Sequence, residues 1–191
     1  MKPISSIIQI DETIASISGY CLSSKYGDNK TFGQPLGVKT VGFVEIISTS
    51  GKIGYGEIYA AVYLPEIVAE ITESLAKYFI GKKIGDLTLS ENILFIPFIG
   101  RNGLLQSFSS AIDAAIWDLR GKILNLPVYK LFQDYVSSKE VYISGGSVIL
   151  SPDEIEKDID NLLSKNKFSI YKMRIGYQEW SNDLKRIEKA Y

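Results

Sequence analysis

An α+β region followed by parallel β/α units is the fold class this sequence predicts, and two patterns carry the prediction. In the first half, "VGFVEIISTSGKIGYGEI" reads as two strands joined by a Ser-Gly turn, with amphipathic helices after it. From Val141 the order becomes strand, helix, strand, helix, at the spacing of parallel β/α units.

The elements follow in chain order. Ile4 to Ile10 is β-rich and is expected to be the first strand, and Val38 to Ser48 the first arm of the hairpin. Between them Tyr20 to Gly37, rich in Gly, Ser, Asn and Lys and without a period, reads as a long loop. After Pro65 the residues Ile67, Val68, Ile71, Leu75 and Phe79 recur at helical steps until Gly81 stops them, which predicts an amphipathic helix. Phe108, Ala111, Ile112, Ala115, Ile116, Leu119 and Ile123 repeat the pattern in a second, largely buried helix. Its small residues Ala111, Ala114 and Ala115 permit close backbone approach. Leu126-Pro127 ends it, and "VYKLF" can form one more short helix. In the second region "VYISGGSVI" and "FSIYKMRI" are the expected strands. Ser151-Pro152-Asp153-Glu154 is a capped helix start, and "EWSNDLKRIEKAY" is the last helix.

Composition narrows the function. With 46% hydrophobic and 23% charged residues in 191, the chain has material for a core. A net charge of −1 with no basic run or stripe offers neither nucleic acid nor a membrane surface an electrostatic footing. No apolar run approaches the roughly 18 residues of a membrane span. The single cysteine, Cys21, cannot form an internal disulfide and no secretion leader opens the chain, so a reduced, cytoplasmic setting is expected. There is no histidine, which leaves acid and base roles to Asp, Glu, Lys, Tyr or Cys.

Three stretches, in this order and spacing, resemble the enolase superfamily in the branch of mandelate racemase and muconate lactonizing enzyme. They are the hairpin "STSGKIGYGEIY", the helix "SSAIDAAIWDLRGKILNLPVYKLF" and the strand "YKMRIG". The resemblance implies an α+β capping domain over residues 1–126, followed over 127–191 by an incomplete (β/α)8 barrel of two β/α units. Such a barrel takes roughly 250 residues and builds its site from strands all around the ring. The resemblance also implies Mg2+, held by carboxylates on the third to fifth strands and so beyond these residues; no metal ligand is expected within them. The 191 residues alone are expected to be inactive, and their open parallel edge aggregation-prone.

Lys172 and Arg174 stand two apart in "SIYKMRIG" and so share one face of a strand. A buried cation needs a carboxylate or an anionic ligand, whereas a cation at a strand edge simply faces water. The resemblance places both in the barrel lumen as catalytic residues. Arg174 occupies a position where the family commonly has a lysine base, and a guanidinium stays protonated, so it suits charge stabilisation of a carboxylate or enolate. Lys172 then positions the substrate carboxylate, and the base comes from another strand. The reaction implied is dehydration of a sugar acid (an aldonate) by proton abstraction α to the carboxylate. Racemisation, epimerisation or cycloisomerisation are alternatives within the superfamily, and a non-catalytic truncated or degenerate member is another.

Tyr20, Tyr26 and Tyr59 fall in stretches that correspond to capping-domain loops over the barrel mouth, which implies substrate contact; the alternative is surface-loop aromatics. Asp113 and Asp118 are expected to make helix-surface or interdomain hydrogen bonds, and Glu57 to be structural at the hairpin end. Cys21 lacks a histidine to activate it as a nucleophile. Gly145-Gly146-Ser147 could approach a ligand closely but has the spacing of no phosphate loop. The expected partners are a small-molecule carboxylate and, for a full-length protein, further copies of itself.

Overall fold

Every second residue from Thr40 to Ser48 is buried, the period of a strand with one face on a core. This strand, β2 (Val38–Ser48), pairs antiparallel with β3 (Ile53–Ile58), in register from Gly42 opposite Ile58 to Ile47 opposite Ile53. The predicted hairpin is therefore present. Its turn contains Gly51 at φ 83°, a left-handed conformation natural to glycine, and closes with Ser48 N–H donating to the Lys52 carbonyl at 2.9 Å. Strand β1 (Ile14–Lys25) completes a sheet of order β1-β2-β3.

The computed structural model describes residues 3–25, 37–91, 103–133, 138–165, 168–176 and 179–191. They fall into two units, Met1–Ser24 with Val38–Val136, and Lys25–Gly37 with Ser137–Tyr191.

In the first unit, helix α3 (Gly103–Leu124) packs on β3 and β2. The contact is unusually close because the strand offers glycines. A Cβ on Gly54 would run into the carbonyl oxygen of Ala115, and one on Gly56 into that of Ala111. Helix α2 (Val68–Ala76) follows two 3-10 turns, Tyr59–Val62 and Pro65–Ile67, and buries Val68, Thr72, Leu75 and Ala76. Ile14, Ile46, Ile58, Phe79, Phe108 and Leu119 belong to one continuous core. Arg120 is buried in the same unit, donating from Nε to the Ile84 carbonyl (2.9 Å) and from Nη2 to that of Asp86 (2.6 Å). Its guanidinium lies 4.6 Å from the Trp117 ring, and burial pulls its pKa below the usual range. Trp117 in turn packs on Phe132 of α4 (Tyr129–Phe132), the short helix expected after Pro127.

Two expectations are corrected here. The stretch expected as the first strand, Ile4–Ile10, contains instead helix α1 (Pro3–Ile8). Ile7 and Ile10 are buried while Ile4 and Ile8 are exposed, a three-residue step that a short apolar run does not advertise. The first strand is β1, so Tyr20–Lys25 is strand rather than loop, and residues 26–36 of that expected loop lie outside the described residues.

In the second unit β4 (Ile143–Ser144) and β5 (Tyr171–Lys172) pair in parallel, with Ile143 beside Tyr171 and Ser144 beside Lys172. Helices α5 (Pro152–Lys165) and α6 (Trp180–Ala190) pack together. The strands are much shorter than expected because the ladder slips. Gly145 N–H donates to the Lys172 carbonyl (3.1 Å), but the next bond runs from Arg174 N–H to Gly146 rather than to Gly145 (3.1 Å). Gly146, at φ 57°, is the extra residue of a β-bulge. Helix α5 opens with the predicted reciprocal cap, Ser151 N–H to Glu154 Oε2 (2.8 Å) and Glu154 N–H to Ser151 Oγ (3.3 Å). Among the described residues no helix is long and apolar enough to cross a membrane.

The glycine contact is testable by denaturant unfolding. Gly56→Ala should lower stability by about 1–3 kcal/mol or more through overpacking against α3. Gly51→Asn, in an open turn where asparagine tolerates the left-handed region, should lose less than about 1 kcal/mol. Equal losses would contradict the close-approach account.

Candidate functional site

The site is assembled where β4 and β5 end, and α5 and α6 determine its shape. On α5, the Asp158 carboxylate accepts two hydrogen bonds at Oδ2, from the Gly146 amide (2.9 Å) and the Tyr171 hydroxyl (2.5 Å). A Cβ on Gly145 would stand 2.5 Å from that same oxygen, and one on Gly146 2.5 Å from Met173 Cβ. The double glycine thus makes room for the protein's own side chains. Burial, and then the bond to Asp158, push the Tyr171 hydroxyl pKa well above the usual phenol value.

On α6, Asp183 and Arg186 form an ion pair of 2.6 Å whose side chains are 1% and 0% exposed. Asp183 Oδ2 also accepts the Gly176 amide (2.7 Å), and Arg186 Nη2 donates to the Ser147 carbonyl (2.7 Å). Arg186 Nε has no partner among the described residues. The Gly176 amide, with Arg186 beside it, holds the Asp183 carboxyl below its ordinary pKa despite burial.

Lys172 and Arg174 are placed by strand parity. Tyr171 reaches α5 through its hydroxyl, so Lys172, one residue on, lies on the opposite side of β5, and Arg174 shares its parity. Lys172 is half-buried and Arg174 exposed, and among the described residues neither forms an ion pair. Tyr20 and Tyr59 belong to the first unit. Tyr20, on β1, has its ring 5.8 Å from that of Phe43, and Tyr59, in a 3-10 turn, meets Tyr63 edge-on at 6.5 Å; both are exposed. Tyr26 lies outside the described residues.

Other candidates are tied into the fold. Asp118 accepts the Tyr55 amide (2.8 Å) and Lys122 Nζ (2.6 Å), fastening α3 to β3. The Cys21 thiol donates to the Pro65 carbonyl (3.6 Å), and burial together with Glu66 raises its pKa, away from the thiolate. Among the described residues no three Asp, Glu, Cys or His side chains come together as metal ligands. The described residues do not form the oxygen cage a divalent cation needs.

Sequence reasoning passed over Asp158, Tyr171, Asp183 and Arg186. For the last two a faint signal existed: Asp183 and Arg186 carry opposite charges three residues apart, the spacing of an ion pair on one helix face.

An α+β unit with a long helix on a three-stranded sheet, followed in sequence by two parallel β/α units, defines a capping domain and the start of a (β/α)8 barrel. Residues 34–132 match the family described as the N-terminal domain of mandelate racemase / muconate lactonizing enzyme. The chain belongs to that family, within the enolase superfamily. Over 108 residues it is 32% identical to a Caldivirga maquilingensis protein named "Putative L-rhamnonate dehydratase", an alignment covering 54% of this chain and 26% of the relative. The solved 3,6-anhydro-D-galactonate cycloisomerase from Zobellia galactanivorans superposes with a TM-score of 0.69 at 26% identity, covering 93% of this chain and 47% of that one. An enolase from Bradyrhizobium, solved with magnesium and mandelic acid, gives a TM-score of 0.75 at 17% identity, over 95% and 50% of the two chains, and speaks to the fold alone. The chain thus spans about half the length of these solved structures and 26% of the curated relative.

Because the folded Asp183 carboxyl lies below its ordinary value of 3.8, its ionised form favours the fold. That contribution is constant at higher pH and disappears as the pH falls through the depressed value. The protection factor of the Gly176 amide should therefore be flat from neutrality down to about pH 4 and fall below it. Asp183→Asn should show weaker protection that no longer depends on pH, as read by hydrogen exchange in NMR.

Proposed function

We propose that these residues are the N-terminal part of a magnesium-dependent enzyme that dehydrates a sugar acid. The observation that supports this is a parallel strand, β5, that ends at Lys172 with Tyr171 turned to α5, so that Lys172 and, by strand alternation, Arg174 two residues on fall on the other side. In β/α barrels that end is where substrates bind. The chemistry is removal of the proton α to the carboxylate, then loss of the β-hydroxyl as water, leaving an enol that becomes a 2-keto-3-deoxy acid. Lys172 binds the substrate carboxylate. Arg174 stabilises the negative charge that grows as the proton leaves, a task for a fixed donor and not for a base. The base and the carboxylates for magnesium are assigned to residues outside these 191, which by themselves are inactive.

The name of the Caldivirga maquilingensis relative supports the choice of reaction, since it specifies the dehydration of an aldonate. A second reading, cycloisomerisation of a sugar acid, is favoured by the 26% identity to the Zobellia galactanivorans enzyme. Tyr20, Tyr26 and Tyr59 are assigned to substrate specificity. The partners are a small carboxylate and further copies of the same protein, not nucleic acid or membrane. A reduced cytoplasmic setting suits a lone Cys21 whose thiol is held protonated.

The test is to assay the natural protein carrying these residues with magnesium against a panel of aldonates that includes L-rhamnonate, following the 2-keto-3-deoxy product. Arg174→Ala should lower kcat by about 10²–10³, as expected when one charge-stabilising donor is lost, and Lys172→Ala should act chiefly on KM. Racemisation of a 2-hydroxy acid with no aldonate dehydrated would overturn the proposal, and cyclised product alone would select the second reading.

A further inference from the structure

We infer that Asp183 and Arg186 are positioning residues: one buried ion pair on α6 holds the turns that leave β4 and β5, and so fixes the strand end on which Lys172 and Arg174 stand. The inference rests on the reading of those two cations as facing substrate. Its structural part stands on three observations.

The first is what the pair touches. Asp183 accepts the amide of Gly176, two residues beyond Arg174, while Arg186 donates to the carbonyl of Ser147, the residue after the bulge at Gly146. Each partner grips a different turn, and the 2.6 Å contact between them closes the link. The second is how little else, among the described residues, holds this point. The paired strands are two residues long, and past the bulge the ladder continues through the Arg174 amide to the Gly146 carbonyl. Asp158 and Tyr171 brace the bulge from α5, but it is Asp183 that takes hold of the chain beyond Arg174.

The third is that stability explains the pair poorly. Burying two charges costs desolvation that a well-packed apolar pair would avoid. Arg186 Nε–H also finds no partner among the described residues, a further cost. On the same helix Trp180, Leu184 and Ile187 remain exposed while the charged pair takes the inward face. The pair provides what apolar side chains cannot: directed bonds to two specific backbone groups.

The test compares the 191-residue chain with its Asp183→Leu/Arg186→Met double variant by amide hydrogen exchange. Loss of a local contact would speed exchange at Gly176 only. Positioning requires that the Arg174 amide, which touches neither substituted side chain, exchange about tenfold faster or more while α5 amides stay unchanged. Asp183→Asn, which keeps an oxygen acceptor for Gly176, should restore part of that protection. In the natural protein the double variant should lower kcat by about 10–100-fold with a smaller change in KM, as expected when catalytic groups are misplaced. A folded double variant with unchanged Arg174 exchange overturns the inference. Should that variant not fold, Arg186→Lys replaces it: the ammonium keeps the charge without the forked reach to Ser147, and unchanged Arg174 exchange there overturns the inference equally. Failure of the natural protein to act on any sugar acid would remove the proposed reaction, whereas the exchange result decides the clamp independently.

Discussion

The first unit depends on a steric constraint: the backbone of α3 lies so close to β3 that no side-chain carbon fits between them at Gly54 or Gly56. Ala111 and Ala115 meet those glycines from the helix side. Close approach then brings other groups within reach. Asp118 bonds to the Tyr55 amide, Lys122 Nζ to the Ile53 carbonyl at 2.9 Å, and Lys52 Nζ to the carbonyls of Lys122 and Ile123 at 3.2 Å each. The last two bonds put a cation at the C-terminal end of α3, where the helix dipole favours one. The hairpin and the helix are therefore one interlocked piece, and the Gly-x-Gly of the sequence is the notch that joins them.

The second unit is held in a different way. Its strand pair is short and bulged, and much of its order comes from carboxylates and a guanidinium that bond to backbone groups at the strand ends. The contrast follows from the sequence. The first unit has an extended apolar core, whereas α5 and α6 between them bury Ile155, Asp183 and Arg186. Where apolar burial is sparse, polar bonds to specific atoms specify the geometry, and they do so with more direction than packing provides.

These physical differences explain what could be read from the sequence. The hairpin, α2, α3 and the capped start of α5 were legible because their signals are local: alternation, helical period, a turn glycine and a reciprocal cap. The family was legible for the same reason, since its marks are the notch on β3 and the small residues facing it. Ile4–Ile10 misled because a short run rich in isoleucine fits strand and helix alike until its neighbours decide which faces are covered. The end of β1, Tyr20–Lys25, was lost because Ser23, Ser24 and Lys25 read as loop residues yet extend an edge strand. At the site, Lys172 and Arg174 were visible as cations out of place, but Asp158, Asp183 and Arg186 resemble ordinary charges on helix surfaces. Their importance lies in which backbone atoms they meet, and that is settled only when the turns after β4 and β5 fold back onto the helices.

The bulge at Gly146 has a consequence for the ground beside the cations. Partners across a parallel ladder present their side chains on the same side, so Ser144 is the flank of Lys172, and the slipped register sets glycine backbone beside Arg174. On that flank the strand offers a hydroxyl and then bare main chain. The cations therefore stand beside a low wall: one hydroxyl, then main chain from which no side chain rises.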